Sequence, residues 1–150
     1  MKVKTIKTNA KNQDFINLID QLDAYLKITD GNEHAFYNQF NSTDALKCIV
    51  LLYADGIPVG CGAIKEFDAF SVEIKRMFVC SERRGLGLAQ NIIKKLETSA
   101  RELGYKKCIL ETGKRQVEAV NFYLKNAYKV IPNYGQYIGK KNSVCFEKHI

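Results

Sequence analysis

The sequence predicts an α/β (α+β) fold, a mixed and mostly antiparallel central sheet of about seven strands with helices on both faces. Three observations carry this. Apolar residues alternate with period two in short runs and recur at helical spacing in others, with turn residues between them. The elements follow in the order β-α-α-β-β-β-α-β-α-β-β, antiparallel strands first and a β-α-β crossover after them. The composition is globular: 46% of the 150 residues are apolar, and 8 Tyr and 8 Phe fill a core without Trp. Only 2 Pro and 10 Gly exclude collagen-like and low-complexity chains.

The elements are read as follows. Val3 to Thr8 alternates as an opening strand. From Asn12 or Asp14 a helix sets Phe15, Leu18, Ile19, Leu22 and Leu26 on one face, and Asp30-Gly31-Asn32 breaks it. Glu33 to Phe40 is a second short helix. Lys47 to Ala54 and Val59 to Glu66 form a hairpin around Asp55-Gly56-Ile57-Pro58, and Ser71 to Val79 is the next strand. Cys80 to Gly87 is a charged, glycine-bearing loop. Leu88 to Leu103 is the clearest helix, with Leu88, Ile92, Ile93, Leu96, Ala100 and Leu103 on its apolar face and Gly104 at its C-terminus. Lys107 to Thr112 is a strand and Gln116 to Asn126 a helix whose inner face is Val117, Val120 and Leu124. Tyr128 to Ile131 and Ser143 to Lys148 are the last strands, the second closing the sheet. No linker, repeat or low-complexity tract divides residues 1–150, so one domain is expected.

No apolar run approaches the ~20 residues of a membrane-spanning helix, and the N-terminus lacks an apolar signal stretch. Five cysteines without C-x-x-C spacing (Cys48, Cys61, Cys80, Cys108, Cys145) read as buried free thiols of a cytoplasmic protein. With only His34 and His149 beside them there is no metal-ligand pattern. Charge is uneven. Residues 1–75 hold 8 basic and 10 acidic side chains, residues 76–150 hold 15 and 6, so the second half expects an anionic partner.

The segment Arg83-Arg84-Gly85-Leu86-Gly87-Leu88-Ala89 lies between a strand and the amphipathic helix. Amides at a helix N-terminus are unpaired and carry the positive dipole end, and glycines let phosphate oxygens approach them. The loop is neither a Walker loop, which needs Gly-Lys-Ser/Thr, nor a complete G-x-G-x-x-G. By itself it reads equally as a pyrophosphate cradle or a structural turn.

Its neighbours resolve this. Glu73-Ile74-Lys75-Arg76-Met77-Phe78-Val79, the loop, then Glu118-Ala119-Val120-Asn121-Phe122-Tyr123 and Asn126-Ala127-Tyr128 resemble the GNAT superfamily of acetyl-CoA-dependent N-acetyltransferases. Arg84, Gly87 and Ala89 meet its Q/R-x-x-G-x-G/A signature. Leu110-Glu111-Thr112-Gly113, Ile131 to Tyr137 and Ser143 to Lys148 are similar to the tail of many bacterial members. The resemblance implies one N-acetyltransferase domain over 1–150 with acetyl-CoA as cosubstrate. Arg84, Gly85, Leu86, Gly87, Leu88 and Ala89 would wrap the pyrophosphate, and Met77 and Val79 would bind pantetheine through their main chain. Gln116 stands near the cofactor, where many members have Asn. Glu73 falls where several members keep the general base, and Tyr123 matches the proton donor to the departing thiolate.

The reaction implied is direct attack of a primary amine on the thioester, without a covalent enzyme intermediate. The alternative for Glu73 is a solvated carboxylate paired with Lys75; for Tyr123 it is a core tyrosine. Asn126-Ala127 replaces the usual Gly-Phe, and Asn tolerates the left-handed turn. The first two helices and Asn133 to Tyr137 would wall the acceptor site, with polyamine, amino sugar, amino acid derivative and protein amine all open. A homodimer is compatible with the resemblance. The competing readings are a non-catalytic acyl-CoA sensor and a basic nucleic-acid module, the latter disfavoured because Lys94, Lys95 and Arg101 fall on a solvated helix face.

Overall fold

The computed structural model describes residues 1–150. One seven-stranded sheet carries the chain, built from β1 (Val3–Thr8), β2 (Leu46–Ala54), β3 (Ile57–Glu66), β4 (Ser71–Val79), β5 (Lys107–Gly113), β6 (Lys129–Ile131) and β7 (Ser143–His149). The order across it is β1-β2-β3-β4-β5-β7-β6, and only β4 and β5 run parallel. The helices are α1 (Gln13–Asp30), α2 (His34–Asn38), α3 (Leu88–Glu102) and α4 (Val117–Lys125). No helix is long and apolar enough to cross a membrane.

Strand alternation divides the core into two layers. On β2, Val50 and Leu52 face α3, where Ile92, Ile93 and Leu96 are fully buried; Ile49 and Leu51 face α1 and its Phe15, Leu18 and Leu22. Each such side chain contributes roughly 1.5–3 kcal/mol when fully buried. Asn12 caps α1, its Oδ1 accepting from the Phe15 amide at 3.1 Å. Gly104 ends α3 at φ 93°, and the Tyr105 amide returns to the Ala100 carbonyl at 3.0 Å.

Several details depart from the sequence reading. The hairpin turn is only Asp55–Gly56, both at positive φ, and Ile57 and Pro58 already pair in β3. Leu103 is 57% exposed, because α3 ends at Glu102 and Leu103 caps it beyond the core. Helix α4 is rotated from the expected face: Val117 and Leu124 are exposed, whereas Tyr123 is buried and Ala119 and Val120 pack on the core. The left-handed residue after α4 is Ala127 (φ 71°), not Asn126, which instead donates from Nδ2 to the Phe122 carbonyl at 2.9 Å. The last strand in sequence is not the last in the sheet, since β7 inserts between β5 and β6.

Two irregularities open the sheet. Parallel pairing of β4 with β5 covers only Ser71–Glu73 against Lys107–Ile109, so β4 from Ile74 onward has no partner on that side. In the β3–β4 ladder the register shifts between Cys61 and Ala63, leaving Arg76 and Met77 opposite Gly62, with Arg76 at φ 59°. Gly62 permits this: a Cβ there would stand 2.6 Å from Met77 Sδ and 2.9 Å from Ile92 Cγ2.

Candidate active site

Two connected cavities occupy the opening. The larger, a groove of about 850 Å³, runs along the glycine loop and the start of α3 and is faced by α4. The smaller, about 120 Å³, lies among α1, α2, β4, β5 and α4. Leu22, Met77, Gln116, Ala119 and Tyr123 line both.

The groove is a backbone site. Gly85 and Gly87 sit at φ 79° and 78°, with open space where a Cβ would stand. The backbone N–H groups from Gly85 through Leu86, Gly87, Leu88 and Ala89 make no hydrogen bond within the protein, and Gly87 caps α3 without a side-chain acceptor. Five free donors at a 15-residue helix's positive end suit a diphosphate. Arg83, Arg115 and Lys125 line the same groove. Arg84 departs from the expectation in its side chain. Its Nε donates to the Val79 carbonyl at 2.9 Å, and its guanidinium lies 5.3 Å from the Tyr25 ring centre and 5.9 Å from that of Phe78. It thereby anchors the loop to β4 and α1, and it occupies one of the main-chain groups assigned to pantetheine. Met77 lies at the bulge, in both cavities.

The smaller cavity is a side-chain site. Glu73 and Ile109 pair across β4 and β5, and Lys75 and Glu111, two residues further on, share their face. Glu73 is buried rather than solvated. Its Oε2 accepts from the Tyr134 hydroxyl at 2.5 Å, and its Oε1 is 3.8 Å from Lys75 Nζ. Glu111 is less fully engaged: Ser143 and Lys75 lie beside its carboxylate, but its Oε2 is buried with no hydrogen bond. Burial pushes the Glu111 carboxyl up to about 7, with nearby Asp30 and Glu73 adding to the effect and Ser143 and Lys75 opposing it. Burial likewise raises the buried Asp30 carboxyl at the end of α1.

Tyr123 is held by the rings of Phe122, Tyr128 and Phe146, with centres 5.3, 5.7 and 5.8 Å away. Its hydroxyl has no hydrogen-bond partner in the protein, and burial together with the Glu111 charge raises its pKa, keeping it protonated. Gln116, at the N-terminus of α4, stands at the junction of the cavities. Leu22, Leu26 and Asp30 of α1, Tyr37 of α2, and Tyr137 also line this smaller cavity.

Sequence reasoning missed Glu111 as a site residue. The signal was available in strand parity, because Glu111 lies two residues after Ile109 on a strand paired with the strand of Glu73. Cys80 is buried beside Gln21, its thiol pKa raised by burial, which makes it unreactive. No cluster of His, Cys, Asp and Glu is arranged to hold a metal ion.

Residues 14–128 match the Acetyltransferase (GNAT) family. The chain is similar to an IAA acetyltransferase of Azospirillum brasilense, 30% identical over 148 residues and 96% of each protein. A crystal structure from Klebsiella pneumoniae, bearing the name acyl-CoA N-acyltransferase, is 26% identical, with a TM-score of 0.82 over 98% of this chain and 97% of that one. The fold is shared with a GNAT family acetyltransferase of Elizabethkingia anophelis with acetyl-CoA bound (15% identity, TM-score 0.71, 99% and 98% covered). It is shared equally with the PaiA N-acetyltransferase of Thermoplasma acidophilum in complex with coenzyme A (16%, 0.71, 100% of each).

Proposed function

The chain belongs to the acetyltransferase (GNAT) family and is an acetyl-CoA-dependent N-acetyltransferase, and from that premise we propose how its own residues divide the work. The observation that carries the proposal is the row of unpaired amides from Gly85 to Ala89 on a groove that meets a carboxylate-lined cavity at Tyr123. The amides hold the pyrophosphate, with Arg83, Arg115 and Lys125 adding positive charge at the groove. Met77, freed from regular pairing by the bulge, receives the pantetheine arm; the Val79 amide side assists, its carbonyl being taken by Arg84. Acetyl-CoA so placed supplies a thioester carbonyl that a neutral amine attacks directly.

An amine reaches the cavity as an ammonium ion, so a base must take its proton. Glu73 and Glu111 both face that cavity, and their surroundings divide the roles. The charge of Glu73 is already engaged by Tyr134 and Lys75, which positions those two side chains. Glu111 has an unengaged oxygen and takes up a proton near neutrality, which suits a general base. Tyr123, protonated and without a partner, gives a proton to the departing sulfur. Residues 1–150 act as a single acetyltransferase domain in this reading.

Calorimetric titration with acetyl-CoA, free CoA and ATP tests the groove. Saturable binding of the two CoA compounds but not ATP is the expected result, followed by thiol release when amines are added. Equal binding of ATP, or none of the three by folded protein, would remove the groove from the reading.

A further inference from the structure

The acceptor cavity contains something a plain amine site does not need. On consecutive β4 positions it buries two cations, Lys75 and Arg76, whose side chains are only 10% and 2% exposed. Neither is fully satisfied. Lys75 Nζ makes no hydrogen bond, its nearest carboxylate oxygen being Glu73 Oε1 at 3.8 Å. Arg76 reaches Asp23 with Nη2 at 2.6 Å, but its Nε and Nη1 are buried without partners. A buried charge short of hydrogen bonds is costly, so native sites seldom retain one without use. Burial indeed lowers the Lys75 pKa against the pull of Glu73 and Glu111. On the opposite edge of the opening stands the unpartnered Glu111 oxygen, with Asp30 beyond it. The cavity of about 120 Å³ is thus lined by residues of both signs, Lys75 and Arg76 together with Glu73, Glu111 and Asp30, several of them short of partners.

We infer that the acceptor is a small zwitterion, an amine carrying its own carboxylate, whose acid group is received by Lys75 with Arg76 behind it while the ammonium faces Glu111. This rests on the acetyltransferase reading above and deepens it by choosing the substrate class. A polyamine would set a second ammonium against Lys75 and Arg76. A phosphate dianion would be set among Glu73, Glu111 and Asp30. A single carboxylate completes the cations without either conflict. The volume of about 120 Å³ suits an acceptor of amino-acid size.

The test uses the full-length protein with acetyl-CoA and matched amines: the twenty proteinogenic α-amino acids with β-alanine and 4-aminobutyrate, the decarboxylated amine corresponding to each, and 2-aminoethylphosphonate. Release of CoA thiol gives kcat/KM. At least one amino acid should exceed its decarboxylated counterpart by 100-fold or more, and Lys75→Met should cut that ratio below tenfold while acetyl-CoA affinity holds. Should Lys75→Met not fold, Lys75→Gln serves the same comparison. Turnover of decarboxylated amines equal to or better than that of the amino acids would overturn the inference. So would preference for the phosphonate, or acetyl-CoA binding with no amino acid turned over. A protein that fails to bind acetyl-CoA at all would take down the transferase reading with it, and the titration separates that case.

Discussion

The groove and the acceptor cavity adjoin at Tyr123 yet are built from different materials. The groove is made from main chain: free amides, two glycines at positive φ, and a helix dipole. The cavity is made from side chains of α1, α2, β4, β5 and α4, several of them buried charges. In the proposed reading the backbone recognises what every reaction of the family shares, here a diphosphate, and tolerates changes in the side chains around it. In that reading side chains from distant segments recognise what differs, here the amine, and each is open to substitution. The contrast predicts that damage to the groove is total and affects binding, whereas damage to the cavity is graded and affects turnover.

The largest expected effect is at Gly87. Gly87→Glu places a carboxylate in the cradle and a Cβ at φ 78°, and should weaken acetyl-CoA binding more than 100-fold with circular dichroism unchanged. Retained affinity would mean that the amides do not hold the phosphates. Next comes Glu111→Gln, for which kcat should fall 10²–10⁴-fold with acetyl-CoA affinity within about twofold. In wild type the activity should rise with pH through about 7 as this carboxyl ionises, and the variant should lose that limb. Glu73→Gln should cost only about tenfold, as expected of a positioning group; the reverse ranking of the two variants would exchange their roles. Tyr123→Phe should lower kcat by about 10²-fold with unchanged cofactor affinity, and wild-type turnover would release it from the mechanism.

A smaller effect separates function from stability at Glu111. Its folded pKa is raised above the unfolded value, so the folded state binds the proton more tightly. Stability therefore falls as pH rises from about 4.5 to about 7. Glu111→Gln should consequently be the more stable protein at pH 8, by on the order of 1–2 kcal/mol, with little difference at pH 4. Thermal melts at the two pH values check this, and equal melting shifts would remove burial as the cause. The smallest change is expected outside both sites. Ala127→Gly relieves a left-handed alanine and should stabilise by roughly 0.5–1 kcal/mol, since the strain of about 1–2 exceeds the glycine entropy cost; a lower melting temperature would show that the strain is not there.

What could be read in the sequence tracks this division. Strands and helices were legible as periodicities of two and 3.6, because each burial pattern is local. Helix α4 was misplaced by rotation for an instructive reason. Of the most apolar stripe only Val120 stays on the core, while Val117 and Leu124 turn to solvent and the helix brings Gln116 and Tyr123 to the opening, so tertiary position overrode the apolar count. Glu111 carries no local signal of a site, and only the placing of β5 between β4 and β7 sets it near Glu73, Lys75 and Ser143.

By itself the sequence determined most of the elements and the glycine loop, since an amide cradle needs only contiguous residues and the conformational freedom of glycine, while the cofactor class came from the loop's resemblance, together with its neighbours, to a known family. The tertiary structure alone decided three things: that Glu73 is engaged, that one oxygen of Glu111 is left unpaired, and that two incompletely paired cations line the same cavity. Those facts depend on a bulge, on strands that part after three paired residues, and on contacts between segments up to 61 residues apart. Burial and partnership set what a charged group can do, and both belong to its neighbours in space.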